Sequence, residues 1–202
     1  PGAANKVKLM ENISNPRAIK QKSLKHIDFK RKHQYVLLSL GHICINKGSD
    51  IALEVAVQLK KKGIDFEWLF AGSISKDMDY AHHVEQLDLK DNIRFLGPVE
   101  NPYPYIKEAD IFVHLSRFEG KSIALDEAKI LCKPIVVTNF SSVHDQFEDD
   151  VNASICEMNA DSATQRILEL LNNKNLQDKY IQYLKNHISD NTQEVHKLLN
   201  YI

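Results

Sequence analysis

The sequence predicts an α/β chain built on a doubly wound, Rossmann-like parallel sheet. Three observations predict it. Short apolar runs alternate with segments of helical period. Three of those runs stop at a glycine: Gly41, Gly72 and Gly97. The runs are largely apolar, as in strands buried on both faces. Right-handed crossovers then wind such a chain into one sheet with helices on either side.

Residues 1–34 are polar and basic without clear period, and read as a linker or N-terminal extension carrying one short helix. Tyr35 to Leu40 is the first strand, ended by Gly41. A helix from about Lys47 puts Ile51, Val55 and Leu59 on one face and closes at Lys60-Lys61-Lys62-Gly63, cations followed by a glycine stop. Phe66 to Ala71 is the second strand, and a helix is predicted over 77–89. The third strand is Ile93 to Leu96, followed by a short helix at 102–108 and a fourth strand, Ile111 to Leu115. A helix from Ser122 to Leu131, a strand from Ile135 to Thr138 and a short strand at 153–156 come next. Helices fill 161–172, 175–186 and 191–201. The domain is thus drawn over 35–186, with a C-terminal helix in 187–202.

Composition narrows the partners. The 202 residues are 43% hydrophobic and 26% charged, ordinary for a chain with a sizeable core. Lys and Arg number 26 against 27 Asp and Glu, so bulk charge favours neither nucleic acid nor an anionic membrane. The three cysteines, Cys44, Cys132 and Cys156, are widely spaced and imply neither a disulfide framework nor a zinc ribbon. Free thiols suit a reducing, cytoplasmic compartment. No run approaches the roughly 18 apolar residues of a membrane span. No secretory signal pattern opens the sequence.

A doubly wound sheet binds ligands beyond the carboxyl ends of its strands. The loops to inspect are therefore 41–48, 72–76, 97–102, 116–122 and 139–145. In the fourth of these, Glu119 follows a strand and Glu127 stands eight residues on, one turn into the next helix. Carboxylates accept hydrogen bonds from sugar hydroxyls. The amides at Lys121 to Ile123 are the free donors of a helix start, which favours a phosphate. Two glutamates at this spacing would otherwise be a loop charge and a surface helix residue. Of the histidines, His82 and His83 are adjacent on a helix, point apart and read as a solvated face. His114 reads as core or near-site packing, and His144 lies in a loop facing the crevice.

Residues 119–138 read E-G-K-S-I-A-L-D-E-A-K-I-L-C-K-P-I-V-V-T. This resembles the family-4 retaining glycosyltransferases of the GT-B fold, whose second domain carries a Glu-x7-Glu motif in a stretch of the same spacing. Gly41, Lys47 and Gly48 likewise match that family's G-R-L-x-x-x-K-G loop. Gly97-Pro98-Val99 with Asn101, and Ala109 to Val113, match in order, so the resemblance spans about 35–160.

The resemblance implies a donor site. Lys47 contacts the donor diphosphate, Glu119 the transferred sugar and Glu127 the ribose. Val99 and Asn101 border the base, while Gly41, His42, Gly120, Lys121, Ser122 and Ile123 complete the phosphate and sugar surroundings. Glu119 and Lys47 carry the catalytic role. It implies transfer from a nucleotide sugar, a UDP-sugar by expectation, to a glycan or lipid-linked acceptor. It implies no metal and no cofactor. The acceptor site is expected in an N-terminal Rossmann-like domain, so that this chain alone binds donor but turns over poorly. The full-length protein is expected in the cytoplasm, with peripheral attachment to a membrane where the acceptor is lipid-linked. The chain departs from the pattern at His42, where the family has arginine, at Lys121, where phenylalanine is common, and at Ser122, where glycine is common. Imidazole does not reproduce arginine's fixed charge and fork.

Two other functions share these features. One is a nucleotide-sugar epimerase on the same fold. The other is a non-catalytic nucleotide-sugar-binding domain, which the His42 departure keeps open. A phosphate receiver would need acidic residues after an early strand, and loop 41–48 has none.

Overall fold

The structure is a computed structural model that describes residues 14–188 and Asp190. The helix expected over 191–201 lies outside the described residues.

Six parallel strands form one sheet: β1 (Tyr35–Leu40), β2 (Phe66–Ala71), β3 (Ile93–Gly97), β4 (Ile111–His114), β5 (Ile135–Thr138) and β6 (Ser154–Cys156). Their spatial order is β3-β2-β1-β4-β5-β6. The chain works outward from β1 in one direction, then returns to lay β4 against β1's other edge. That reversal opens a crevice between the loops after β1 and β4.

The described elements also include seven α-helices: α1 (Pro16–Lys22), α2 (Ser49–Lys61), α3 (Tyr80–Gln86), α4 (Tyr103–Glu108), α5 (Ile123–Ile130), α6 (Ala160–Asn172) and α7 (Lys174–Asn186), with short 3-10 helices at Ile45–Lys47 and Val143–Asp145. Side-chain alternation along the strands sends residues to two cores. Leu37, Trp68, Phe70, Ile111, Val113 and Val136 pack with residues of α2, α3 and α6. Val36, Leu38, Leu69, Phe112, Ile135 and Val137 pack with Ile106 of α4 and with Leu125 and Ala128 of α5. This is why the strands read as largely apolar runs.

α1 is the short helix expected in the linker. Asn15 caps it by accepting from the Ala18 amide, and Pro16 opens its first turn. It packs beside α4 and α5. α3 is shorter than the predicted 77–89. The Asp79 side chain accepts from the His82 amide and starts the helix there, while Asp88, at φ 55°, turns the chain beyond it.

Candidate functional site

Two loops make the crevice, and several contacts tie them together. Gly48 sits at φ +69°, and a Cβ there would come within 2.0 Å of the Leu115 carbonyl oxygen. Only glycine lets the loop after β1 approach the end of β4 so closely. Arg117 then grips Asp50 with two hydrogen bonds of 2.7 Å and also reaches the Ile45 carbonyl. Its amide donates to the Asn46 carbonyl at 2.9 Å. The loop after β2 joins from the other side: His42 Nδ1 lies 2.8 Å from Ser73 Oγ, and the Ile45 amide donates to Asp77.

Across this joint, Lys47 Nζ donates to Glu119 Oε1 at 2.5 Å. His114 Nε2 meets the same oxygen at 2.8 Å. Lys47 remains about one-third exposed, whereas Glu119 and His114 are buried. Burial pushes the Glu119 pKa upward. The hydrogen bonds from His114 and Lys47 outweigh that and hold it at about 2. Glu119 is therefore an ionised acceptor at the crevice wall. On the next loop, Ser142 Oγ lies 2.9 Å from the Glu119 carbonyl and 2.8 Å from that of Gly120, and fastens the turn that leads into α5.

Ser122 occupies the N-cap position of α5 but makes no side-chain capping bond. The first-turn amides at Ile123 and beyond thus receive no cap from it, and the positive end of the helix opens beside Gly120. Glu127 lies one turn on, half-buried, and accepts from the Tyr103 hydroxyl at 2.9 Å. Burial raises the Glu127 pKa, with only partial relief from Tyr103. Burial and this carboxylate push Tyr103 up to about 12. Glu127, Tyr103 and Ile123 face a cavity of about 180 Å³ whose other wall is α1, through Asn15, Ala18 and Lys22. Gly41, His42, Lys47 and His114 line a smaller one of about 30 Å³. Val99 packs on the same core as Tyr103. Asn101 turns its amide to the Lys22 carbonyl at the end of α1, at 3.0 Å.

The structure thus brings Lys47 and Glu119 into contact and places Gly41 and His42 beside them. Glu127 stands along the same helix start, toward α1. Sequence reasoning missed the Arg117–Asp50 clasp and the Tyr103–Glu127 bond, and gave His114 no polar partner. Among the described residues, no group of three His, Cys, Asp or Glu side chains could hold a metal ion. No described helix is long and apolar enough to cross a membrane.

A carboxylate whose folded pKa is raised contributes stability below its ordinary pKa and loses it as pH rises through the folded value. Ionised Glu127 therefore costs stability at neutral pH. Glu127→Gln is expected to stabilise the ligand-free chain there, an advantage that fades as pH falls into the ordinary carboxylate range. Urea unfolding in both pH ranges measures it. An equal effect at both would show that the buried charge is not the cause.

The family model for "Glycosyl transferases group 1" matches residues 20–187. A glycosyltransferase of Haemophilus influenzae is 28% identical over 163 residues, 80% of this chain and 45% of its own. An N-acetylgalactosaminyltransferase of Campylobacter jejuni, named for an N-acetylgalactosamine-N,N'-diacetylbacillosaminyl-diphospho-undecaprenol acceptor, is 28% identical over 178 residues, 87% of this chain and 47% of its own. This chain spans about half the length of these relatives. The crystal structure of Anabaena HepE with UDP and glucose superposes with a TM-score of 0.77 at 15% identity, covering 100% of this chain and 58% of that one. The six-stranded parallel sheet is that of GT-B glycosyltransferase domains. The chain belongs to the group 1 family of glycosyl transferases.

Proposed function

We propose that the chain is the donor-binding half of a retaining, family-4 glycosyltransferase. It takes a nucleotide sugar, with UDP as the base-bearing half, and serves a glycan or lipid-linked acceptor. The observation that carries this is the meeting of Lys47 and Glu119 at the β1/β4 switch point, beside the open amino end of α5. One group is a cation suited to a diphosphate, and the other is an ionised acceptor suited to a sugar hydroxyl. The relative named for a diphospho-undecaprenol acceptor and the UDP and glucose complex of a structural neighbour support this choice of acceptor and donor.

Each group then has a task. The Lys47 ammonium has three protons and spends one on Glu119, leaving two for the diphosphate. As the glycosidic bond breaks, negative charge grows on the leaving diphosphate. Lys47 and the α5 amides at Ser122 and Ile123 stabilise it without reorganising. Glu119 accepts from the transferred sugar, and Glu127 from the ribose. Gly120 and Lys121 shape the phosphate turn, and Val99 and Asn101 border the base. His42, held by Ser73, replaces a fixed cation with an imidazole whose Nε2 can face the phosphates. No metal or cofactor takes part. Residues 35–186 form the donor domain, and the acceptor is held by a partner N-terminal domain. The enzyme works in the cytoplasm, at the membrane surface when its acceptor is a lipid.

Thermal unfolding with UDP, GDP and ADP, without metal, tests the reading. A ligand at about 100 times its Kd adds roughly 2.7 kcal/mol, and about 2–4 °C per kcal/mol then gives a rise of about 5–11 °C. A rise with UDP alone is expected. A rise with GDP or ADP instead would overturn the donor assignment, and no rise with any would overturn the site.

A further inference from the structure

We propose that His114 is a positioning residue for sugar recognition, anchoring Glu119 through Oε1 so that Oε2 is presented to the transferred sugar. The inference rests on the donor reading above.

The geometry is asymmetric. Both described donors to the Glu119 carboxylate, Lys47 and His114, converge on Oε1 at 2.5 and 2.8 Å. Among the described residues Oε2 accepts no hydrogen bond. A carboxylate accepts at both oxygens, so this one is held on one side and available on the other. Facing an ionised carboxylate, His114 carries its proton on Nε2.

The two donors are not equivalent. Lys47 is a flexible chain whose ammonium the diphosphate also claims. His114 is short, has two side-chain torsions and is 7% exposed. It is the last residue of β4, paired in register with Val137 of β5, and its ring stands edge-on to Phe140 with centroids 6.4 Å apart. Once the diphosphate draws on Lys47, His114 is the donor that stays. Without it, the carboxylate can rotate and lose its aim at the sugar. His114 therefore governs the part of the affinity that depends on the sugar and leaves the nucleotide part alone.

The test compares UDP with UDP-glucose and UDP-N-acetylglucosamine on the wild-type chain and on three variants. Gln places its amide near the position of Nε2, whereas Asn reaches only as far as Nδ1. His114→Leu and His114→Asn are expected to weaken UDP-sugar binding about tenfold, the loss of one charge-assisted hydrogen bond. UDP affinity should change less than about twofold. His114→Gln is expected to restore most of the loss. If His114→Leu does not fold, the Asn and Gln pair carries the comparison. A wild-type chain that binds none of the three ligands overturns the donor reading itself, and this inference with it. A wild-type chain that favours a UDP-sugar over UDP, with all variants doing the same, overturns only the role of His114. So does an equal loss for UDP and UDP-sugar, which marks a merely structural histidine.

Discussion

Lys47→Ala is expected to weaken UDP binding about a hundredfold or more. It removes the one side-chain cation that reaches the buried Glu119 from the loop after β1. Truncating one member of a hydrogen-bonded charge pair at a desolvated site costs several kcal/mol, and each 1.4 kcal/mol is a factor of about ten in affinity. Among the described residues, the same change leaves Glu119 with His114 as its one side-chain partner. The ligand-free chain should therefore lose about 1–3 kcal/mol of stability. Calorimetric titration with UDP measures the first effect, and urea unfolding the second. Lys47→Arg is expected to recover binding only in part, because a planar fork cannot reproduce an ammonium that serves a carboxylate and a phosphate together. Binding by the alanine variant at wild-type strength would place the diphosphate elsewhere.

Glu119→Gln is expected to have an effect of similar size, visible as a function of pH. The Glu119 carboxyl titrates at about 2 in the folded chain against an ordinary 4.5. A depressed folded pKa means that its contribution is complete above the ordinary value and is lost as pH falls toward the folded one. The difference corresponds to on the order of 3 kcal/mol. Other carboxylates, among them Asp50 beside Arg117, also titrate low and shape the acid limb of both proteins. The difference between wild type and variant isolates Glu119. It should be full at neutral pH, shrink below about 4.5 and close near 2. A gap independent of pH would mean that Gln disturbs packing rather than removing a paired charge. With ligand, the variant should lose affinity for a UDP-sugar while keeping most of its affinity for UDP.

Much of this was legible in the sequence. The strands were, because a sheet covered on both faces makes a short run predominantly apolar. The main site segments were also legible, since loops after β1 and β4 in a doubly wound sheet meet at one crevice, and Lys47 and Glu119 stand on those loops. Helix limits were less so. The prediction carried α3 back to residue 77, where Asp77 instead accepts from the Ile45 amide and Asp79 caps the helix. Asp79 was the usable signal, as a capping residue just ahead of the apolar period.

The partners of the site residues were not legible. Arg117 and Asp50 lie 67 residues apart, and nothing in either neighbourhood announces the other. His114 and Glu119 are only five apart, but on an extended strand that spacing does not bring side chains together. The loop must first turn back, and it does so because Gly48 admits the Leu115 carbonyl and Arg117 clasps Asp50. Tyr103 is 24 residues from Glu127 and reaches it only once α4 and α5 lie on one face of the sheet.

The central claim is that a nucleoside diphosphate sits at the β1/β4 switch point, across the Lys47–Glu119 contact. Backbone amide chemical shifts, recorded while UDP is titrated into the chain in the presence of a chelator, test it most directly. The largest perturbations are expected at 41–48 and 120–123, with a second group at 99–103. Perturbations centred on the larger groove of about 690 Å³ between α2 and α6, or none at saturating UDP, would contradict it.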